Sequence, residues 1–189
     1  SSDLQIILGN KIVFYGLMFA QLGLVAWMSG LVGSMSAATA STVFLIYSAL
    51  NGLTLSVIFL VYTGTSIASV FVISAGMFGA MSLWGFATKR DLTGLGSFAF
   101  MGLIGIVLAS LVNIFLKSDT VSFVISIIGV IVFVGLTAYD TQKLKQMAAT
   151  VDADSEAGRR GAISGALNLY LDFINLFLML LRLFGSRRD

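Results

Sequence analysis

The stretch Ala162–Phe184, AISGALNLYLDFINLFLMLLRLF, decides the fold. It is apolar for 23 residues, and about 20 suffice to carry a helix across a ~30 Å hydrocarbon core. Its one acid, Asp172, stands ten residues inside it. An ionisable side chain at such a depth costs roughly 2.5–3.5 kcal/mol on translocon scales, and usually faces a bundle interior or a water path. A second carboxylate, Asp140, lies near the end of the apolar stretch before it. Two acids kept on consecutive spans point to a use for them.

Working outward, six windows are long and apolar enough to span: 12–33, 43–62, 67–88, 95–116, 121–142 and 162–184. The runs are continuously apolar and do not alternate, so they read as helices and not as barrel strands. Between them, Thr63-Gly64-Thr65-Ser66 reads as a tight turn, Lys89-Arg90-Asp91 closes a span, and Lys117 to Thr120 ends with Thr120 as an N-cap candidate. Lys143 to Gly161 is the one long connection, and its Ala148–Arg160 portion reads as a solvated linker. The expectation is a single all-α transmembrane domain over residues 1–189.

Composition agrees. The chain is 58% hydrophobic and 11% charged, with a mean hydropathy of +0.99; soluble domains carry about 25% charged residues. The lipid bilayer is therefore the partner that the surface requires. The absence of Cys and His excludes zinc and copper sites, thiol nucleophiles and His-based triads. There is no Pro, so any helix break falls to the 20 Gly residues or to inserted polar groups. A net charge of +2 without a long basic run argues against a nucleic-acid partner. The opening Ser1-Ser2-Asp3 has neither Met nor a basic n-region, no signal peptide is visible, and a preceding segment is expected.

Lys89, Arg90, Lys143, Lys145, Arg159 and Arg160 fall on one side of this topology. Lys11, Lys117, Arg182, Arg187 and Arg188 fall on the other. Counted in loops alone the first side is the basic one, which places the Lys89 and Lys143 loops in the cytoplasm. Small residues four apart, Ala75/Gly79, Gly76/Ala80 and Gly161/Gly165, read as close helix–helix contacts. Gln21, Asn51, Asn113, Asn168 and Asn175 read as interhelical hydrogen-bond partners.

The last two spans run antiparallel, and their depths place Asp140 and Asp172 about one helical turn apart, within reach of each other. Two carboxylates in contact at low dielectric share a proton and titrate as a coupled pair. Ionised, they offer hard oxygens suited to Ca²⁺, which takes six to eight. Plainer readings stand beside this one. Asp140 can be a solvated residue paired with Lys143, and Asp172 a structural group bonded to Asn168 or Asn175. An intramembrane aspartyl protease also uses two aspartates. Tyr139-Asp140 matches its YD motif, but Leu169-Tyr170-Leu171-Asp172 is not GxGD. No enzymatic activity and no cofactor are expected.

The run from Gly165 through Asn168-Leu169-Tyr170-Leu171-Asp172-Phe173-Ile174-Asn175 to Leu181-Arg182 resembles the signature of the Bax inhibitor family (TMBIM). The preceding Gly135-Leu136-Thr137-Ala138-Tyr139-Asp140-Thr141-Gln142-Lys143 resembles its motif one helix earlier, and Thr88-Lys89-Arg90-Asp91-Leu92 looks like its YccA-type bacterial branch. The resemblance implies seven helices, the first of them missing from these residues, with the last central among the other six. It implies a pH-sensitive calcium leak channel of the bacterial inner membrane, with Ca²⁺ and H⁺ as its partners and with Asp140 and Asp172 as the gating pair and the possible Ca²⁺ ligands. Beside that pair, Tyr139, Asn168 and Asn175 read as candidate supporting polar residues. The alternative it implies is a non-conducting modulator of the FtsH membrane protease. Some members place an Arg after their second helix as a partner for the aspartates; here the corresponding Ala26–Leu31 region is uncharged.

Overall fold

Residues 34–188 are described by a computed structural model of the chain. The expected span 12–33 and Gln21 lie outside them. Six helices follow in order: α1 (Ala37–Ser56), α2 (Ile58–Val61), α3 (Gly64–Ala87), α4 (Thr93–Leu116), α5 (Asp119–Thr150) and α6 (Glu156–Phe184). The first two form one 25-residue apolar segment, which with α3 to α6 makes five segments long and apolar enough to cross a membrane. The described residues contain no strand, only one isolated antiparallel bridge between Tyr62 and Arg187.

Several boundaries move relative to the sequence reading, each for a local reason. The long connection 143–161 shrinks to Val151–Ser155, because Lys143–Ala149 is built of Lys, Leu, Gln, Met and Ala, all strong helix formers. Polarity there marks the exit from the apolar layer and not the end of the helix. Ser155 then caps α6, its Oγ accepting from Gly158 N at 3.0 Å. Residues 63–66 are no tight turn: Thr63 is the N-cap of α3, accepting from Ser66 N at 3.2 Å. The cap of α5 is Ser118, not Thr120, and it accepts from Val121 N at 3.3 Å. Lys117 makes that turn possible in the left-handed region, with φ 51°.

The helices pack around α5 and α6. Val132, Phe133 and Leu136 of α5 meet Leu176, Phe177 and Leu180 of α6, with Ile67 and Val70 of α3 and Ala99 and Ile106 of α4 closing around them. A smaller cluster attaches α1 to α6 through Tyr47 and Leu167. Elsewhere the surface is apolar: Phe98 is 74% exposed and Phe115 87%. In water such a surface is untenable, whereas hydrocarbon is its matching solvent.

The two ends are closed differently. Lys89, Arg90, Lys143, Lys145, Arg159 and Arg160 gather at one, as the sequence anticipates. There the Glu156 carboxylate accepts from Ala37 N at 2.5 Å, Arg160 Nη1 donates to Met35 O at 3.4 Å, and Lys145 Nζ donates to Phe86 O at 2.6 Å while lying 4.8 Å from the Phe86 ring centroid. At the other end the C-terminal tail lies along the α2–α3 junction. Thr63 N donates to Ser186 O, Arg188 N to Val61 O and Ser186 N to Ser66 Oγ, all at 2.7–3.0 Å. Arg188 Nε adds a bond to Tyr62 O at 2.9 Å.

Close approach is selective. A Cβ on Gly76 or Gly79 would meet nothing within 4 Å among the described residues, so the expected small-residue contacts of that face involve none of them. Gly85 is the opposite case: a Cβ would lie 2.8 Å from the Cα of Ala138 on α5 and closer still to its carbonyl oxygen. Backbone cannot yield as a side chain does. Gly85→Ala is therefore expected to cost about 1–3 kcal/mol through overpacking, read as a lower unfolding midpoint in detergent.

Candidate functional site

The site is built by the antiparallel crossing of α5 and α6. Gly165 lies against Leu144, Gly161 against Met147, and Gly129 against Met179, where an added Cβ would sit 2.9 Å from Met179 Cγ. This register sets Asp140 level with Asn168, and Asp172 one turn deeper, level with Leu136. The offset is about 6 Å along the axis, and the side chains bridge it: the two carboxyl groups lie within hydrogen-bonding reach of each other. Asp172 is only 5% exposed, and its Oδ2 has no hydrogen-bond partner among the described residues. Asp140 is half-buried.

Above the pair, toward the basic end, a cavity of about 110 Å³ is lined by Asp140, Lys143, Leu144, Met147, Gly161, Ser164, Gly165 and Asn168. Its polar walls are Asp140, Lys143, Ser164 and Asn168. Asp140 is thus the floor of a polar cleft, and Asp172 lies beneath it in the apolar layer.

The remaining expected residues divide. Asn168 joins the cleft. Asn175 Nδ2 donates to Leu171 O of its own helix at 2.8 Å. Tyr139 turns away to α4, where its ring fills the space over Gly96. Asn51 and Asn113 are hydrogen-bond partners between helices, Asn51 Nδ2 donating to Tyr170 Oη and Asn113 Nδ2 to Ser122 Oγ, each at 2.8 Å.

Two participants escape a sequence reading. Ser164 enters the cleft one turn before Asn168, legible only by its i,i+4 spacing once the face is known. Gln142 is buried on α5 and clips the α3–α4 loop, accepting from Leu92 N at 2.9 Å and donating to Arg90 O at 2.8 Å. In the same loop Asp91 accepts from Thr93 Oγ1 at 2.6 Å and Thr93 N at 3.0 Å, which holds its carboxyl below the usual carboxylate range.

Apolar helices of spanning length, with a buried acid on the last of them in contact with an acid on the one before, define a polytopic membrane protein with an intramembrane carboxylate pair. The family described as "Inhibitor of apoptosis-promoting Bax1" matches residues 2–189, and the chain belongs to this Bax inhibitor family. It is 59% identical over 186 residues to the inner membrane protein YbhL of Escherichia coli, covering 98% of this chain and 80% of that one. It is also 53% identical to an uncharacterized protein of Rickettsia prowazekii, over 92% of this chain and 73% of the other. An uncharacterized membrane protein of Streptococcus pyogenes serotype M6 is 44% identical, over 96% and 78%.

The Gln142 clip has a measurable consequence. Gln142→Ala leaves the Arg90 carbonyl and the Leu92 amide without their partner, and loss of a buried partner costs about 1–3 kcal/mol. Hydrogen exchange of residues 88–93 is expected to accelerate selectively. Unchanged protection there would show that the clip is dispensable.

Proposed function

We propose that the protein is a pH-sensitive cation leak pathway of the bacterial inner membrane, with Ca²⁺ the ion it passes and Asp140 and Asp172 its gating pair. The observation that carries this reading is the contact of a buried carboxyl, Asp172, with a second carboxyl at the floor of a polar cleft. In an apolar seam the pair is cheapest when one proton lies between the two groups. Removing that proton leaves two like charges in contact, which favours either separation of α5 and α6 or entry of a cation. No chemical step and no cofactor enter this reading; Ca²⁺ is cargo, and protons set the charge. Among the described residues no three His, Cys, Asp or Glu side chains gather. A pair of carboxylates alone undersupplies a Ca²⁺ shell of six to eight oxygens, which suits transit better than storage.

The family arrangement of seven helices around a central last one draws support from the packing of α6 against α1, α3 and α5, while among the described residues α5 is the more buried span. The placement of the Lys89 and Lys143 loops in the cytoplasm follows from the basic end. A second reading, a non-conducting modulator of the FtsH protease, draws on the YccA-type resemblance of Thr88–Leu92, a stretch that exposes Lys89, Arg90 and Asp91 at that end.

The purified protein in liposomes separates the readings. Ca²⁺ flux is expected and should vary with pH. Asp140→Asn and Asp172→Asn should each change the pH profile, and the double variant should add little to either, because coupled residues are non-additive. Additive effects, or unaltered profiles in both single variants, would remove the gating role. Absence of flux together with co-purification of FtsH would favour the second reading.

A further inference from the structure

α1 stands apart from the other long helices. Among the described residues none of its side chains joins the main core, and the small cluster that holds it is built from α1 and α6 only. The contacts between these two helices keep one register. Glu156 accepts from Ala37 N, and Asn51 Nδ2 donates to Tyr170 Oη, each pair 119 residues apart in the chain. The helices are therefore parallel and in step from Ala37 to Asn51, about 20 Å of helix.

Between those two bonds the facing positions recur at alternating steps of three and four. On α1 they are Ala37, Ala40, Phe44, Tyr47 and Asn51. On α6 they are Glu156, Arg160, Ile163, Leu167 and Tyr170. That period is the seam of a left-handed coiled coil, the usual hand of helix packing in membranes. Ala40, Tyr47 and Asn51 are buried on α1, as is Leu167 on α6. The Tyr170 ring stands edge-on to Phe44 and Tyr47, with centroids 5.9 and 6.3 Å away. Asn51 is the one amide of the α1 stripe. A single polar residue at such a position fixes register, because a slip leaves it unpaired.

At the basic end the side-chain ties sort into two sets. α5 holds α3 and α4: Lys145 Nζ donates to Phe86 O, Gln142 clips the α3–α4 loop, and Ala138 lies against Gly85. α6 holds α1, through Glu156 and Arg160. The boundary between the sets is the seam of Asp140 and Asp172, with the cleft above it.

We infer that α1 and α6 form a parallel coiled coil, keyed by the Asn51–Tyr170 hydrogen bond, and that this pair shifts as one body against α3–α5 when the seam opens. The inference rests on the reading of that seam as a gate, and is indifferent to the ion that passes. Displacing α6 alone would part Asn51 from Tyr170 in hydrocarbon, where no water replaces the lost partner. Moving both helices keeps the bond. The far end supplies the pivot, since the tail after α6 is bonded to Val61, Thr63 and Ser66 where the α1–α2 segment ends.

The chain has no Cys, so paired substitutions give single cross-links. The full chain is placed in vesicles of phosphatidylethanolamine and phosphatidylglycerol, and each variant is compared oxidised and reduced. Phe44→Cys with Ile163→Cys is expected to bridge α1 to α6 and to leave Ca²⁺ flux unchanged on oxidation. Met147→Cys with Gly161→Cys, which face each other across the seam, should abolish flux on oxidation. Failure of the first pair to bridge, or loss of flux when it does, overturns the inference. Flux that persists through the second bridge removes the seam as a gate, and the inference with it.

Nitroxide labels give a readout that needs no flux, at the exposed positions Ala38, Gln146 and Ala162. The distance distribution between Ala38→Cys and Ala162→Cys, across the coiled coil, should be narrower than that between Gln146→Cys and Ala162→Cys, across the seam. Tyr170→Phe, which keeps the ring and loses the hydroxyl, should broaden the first. If the unaltered protein passes no Ca²⁺, the leak reading falls and these distances decide the inference by themselves. A first distribution as broad as the second, or one that Tyr170→Phe leaves unchanged, overturns it.

Discussion

Helix backbones can approach one another only where side chains let them, and in this protein glycine decides where. At the α5–α6 crossing Gly165, Gly161 and Gly129 each receive a large side chain of the other helix, Leu144, Met147 and Met179. Shape matching of this kind drives helix association in lipid, where no hydrophobic effect separates protein from solvent. The register that follows has an electrostatic consequence. It brings two acids into one seam, an arrangement that would be avoided if packing were the only demand. The surrounding elements serve the same contact: Gly85 draws α3 against Ala138, and Gly96 makes room for Tyr139, whose ring thereby leaves the seam to the carboxylates.

The buried acid on the last span and its partner one helix earlier are legible from residues alone, because the cost of ionisable groups in hydrocarbon makes their positions informative. Their one-turn offset is legible too, since it depends on helical rise and on which spans are antiparallel. The loop between them is not. Lys143–Thr150 looks like a connection because polarity rises there, but helix propensity is indifferent to the membrane boundary and carries α5 onward to Thr150. Small-residue spacing is also ambiguous. Gly161/Gly165 and Gly76/Ala80 look alike in sequence, yet only the first pair faces a neighbour among the described residues. Spacing says that a close contact is possible; the azimuth of the helix says whether a partner is there.

The polar residues divide on the same principle. Asn51 and Asn113 find partners on other helices, while Asn175 satisfies itself on the preceding turn. An amide in a span has both options, and sequence does not record which one is taken. Gln142 shows the reverse failure. It is the last residue of the apolar window 121–142 and carries no sign of a partner, but it is buried and holds a loop fifty residues away in the chain. Long-range capping of this kind has no local signature.

The two ends of the bundle differ in a way that bears on how the seam can open. At the tail end, residues 186–188 join the α2–α3 junction largely through backbone groups, in a run of neighbouring bonds that have to break together. At the basic end the ties are single side-chain contacts: Glu156 on Ala37 N, Arg160 on Met35 O, Lys145 on Phe86 O and Gln142 on its loop. A typical hydrogen bond contributes about 0.5–1.5 kcal/mol net, and contacts on separate side chains can be exchanged for water one at a time. The cleft that reaches Asp140 lies at this second end. Widening it disturbs the contacts that are easiest to replace, while the far ends of α5 and α6 stay held by Gly129 on Met179 and by the apolar core around Leu176 and Leu180. Access to the carboxylates from the basic side is thus separable from the integrity of the bundle.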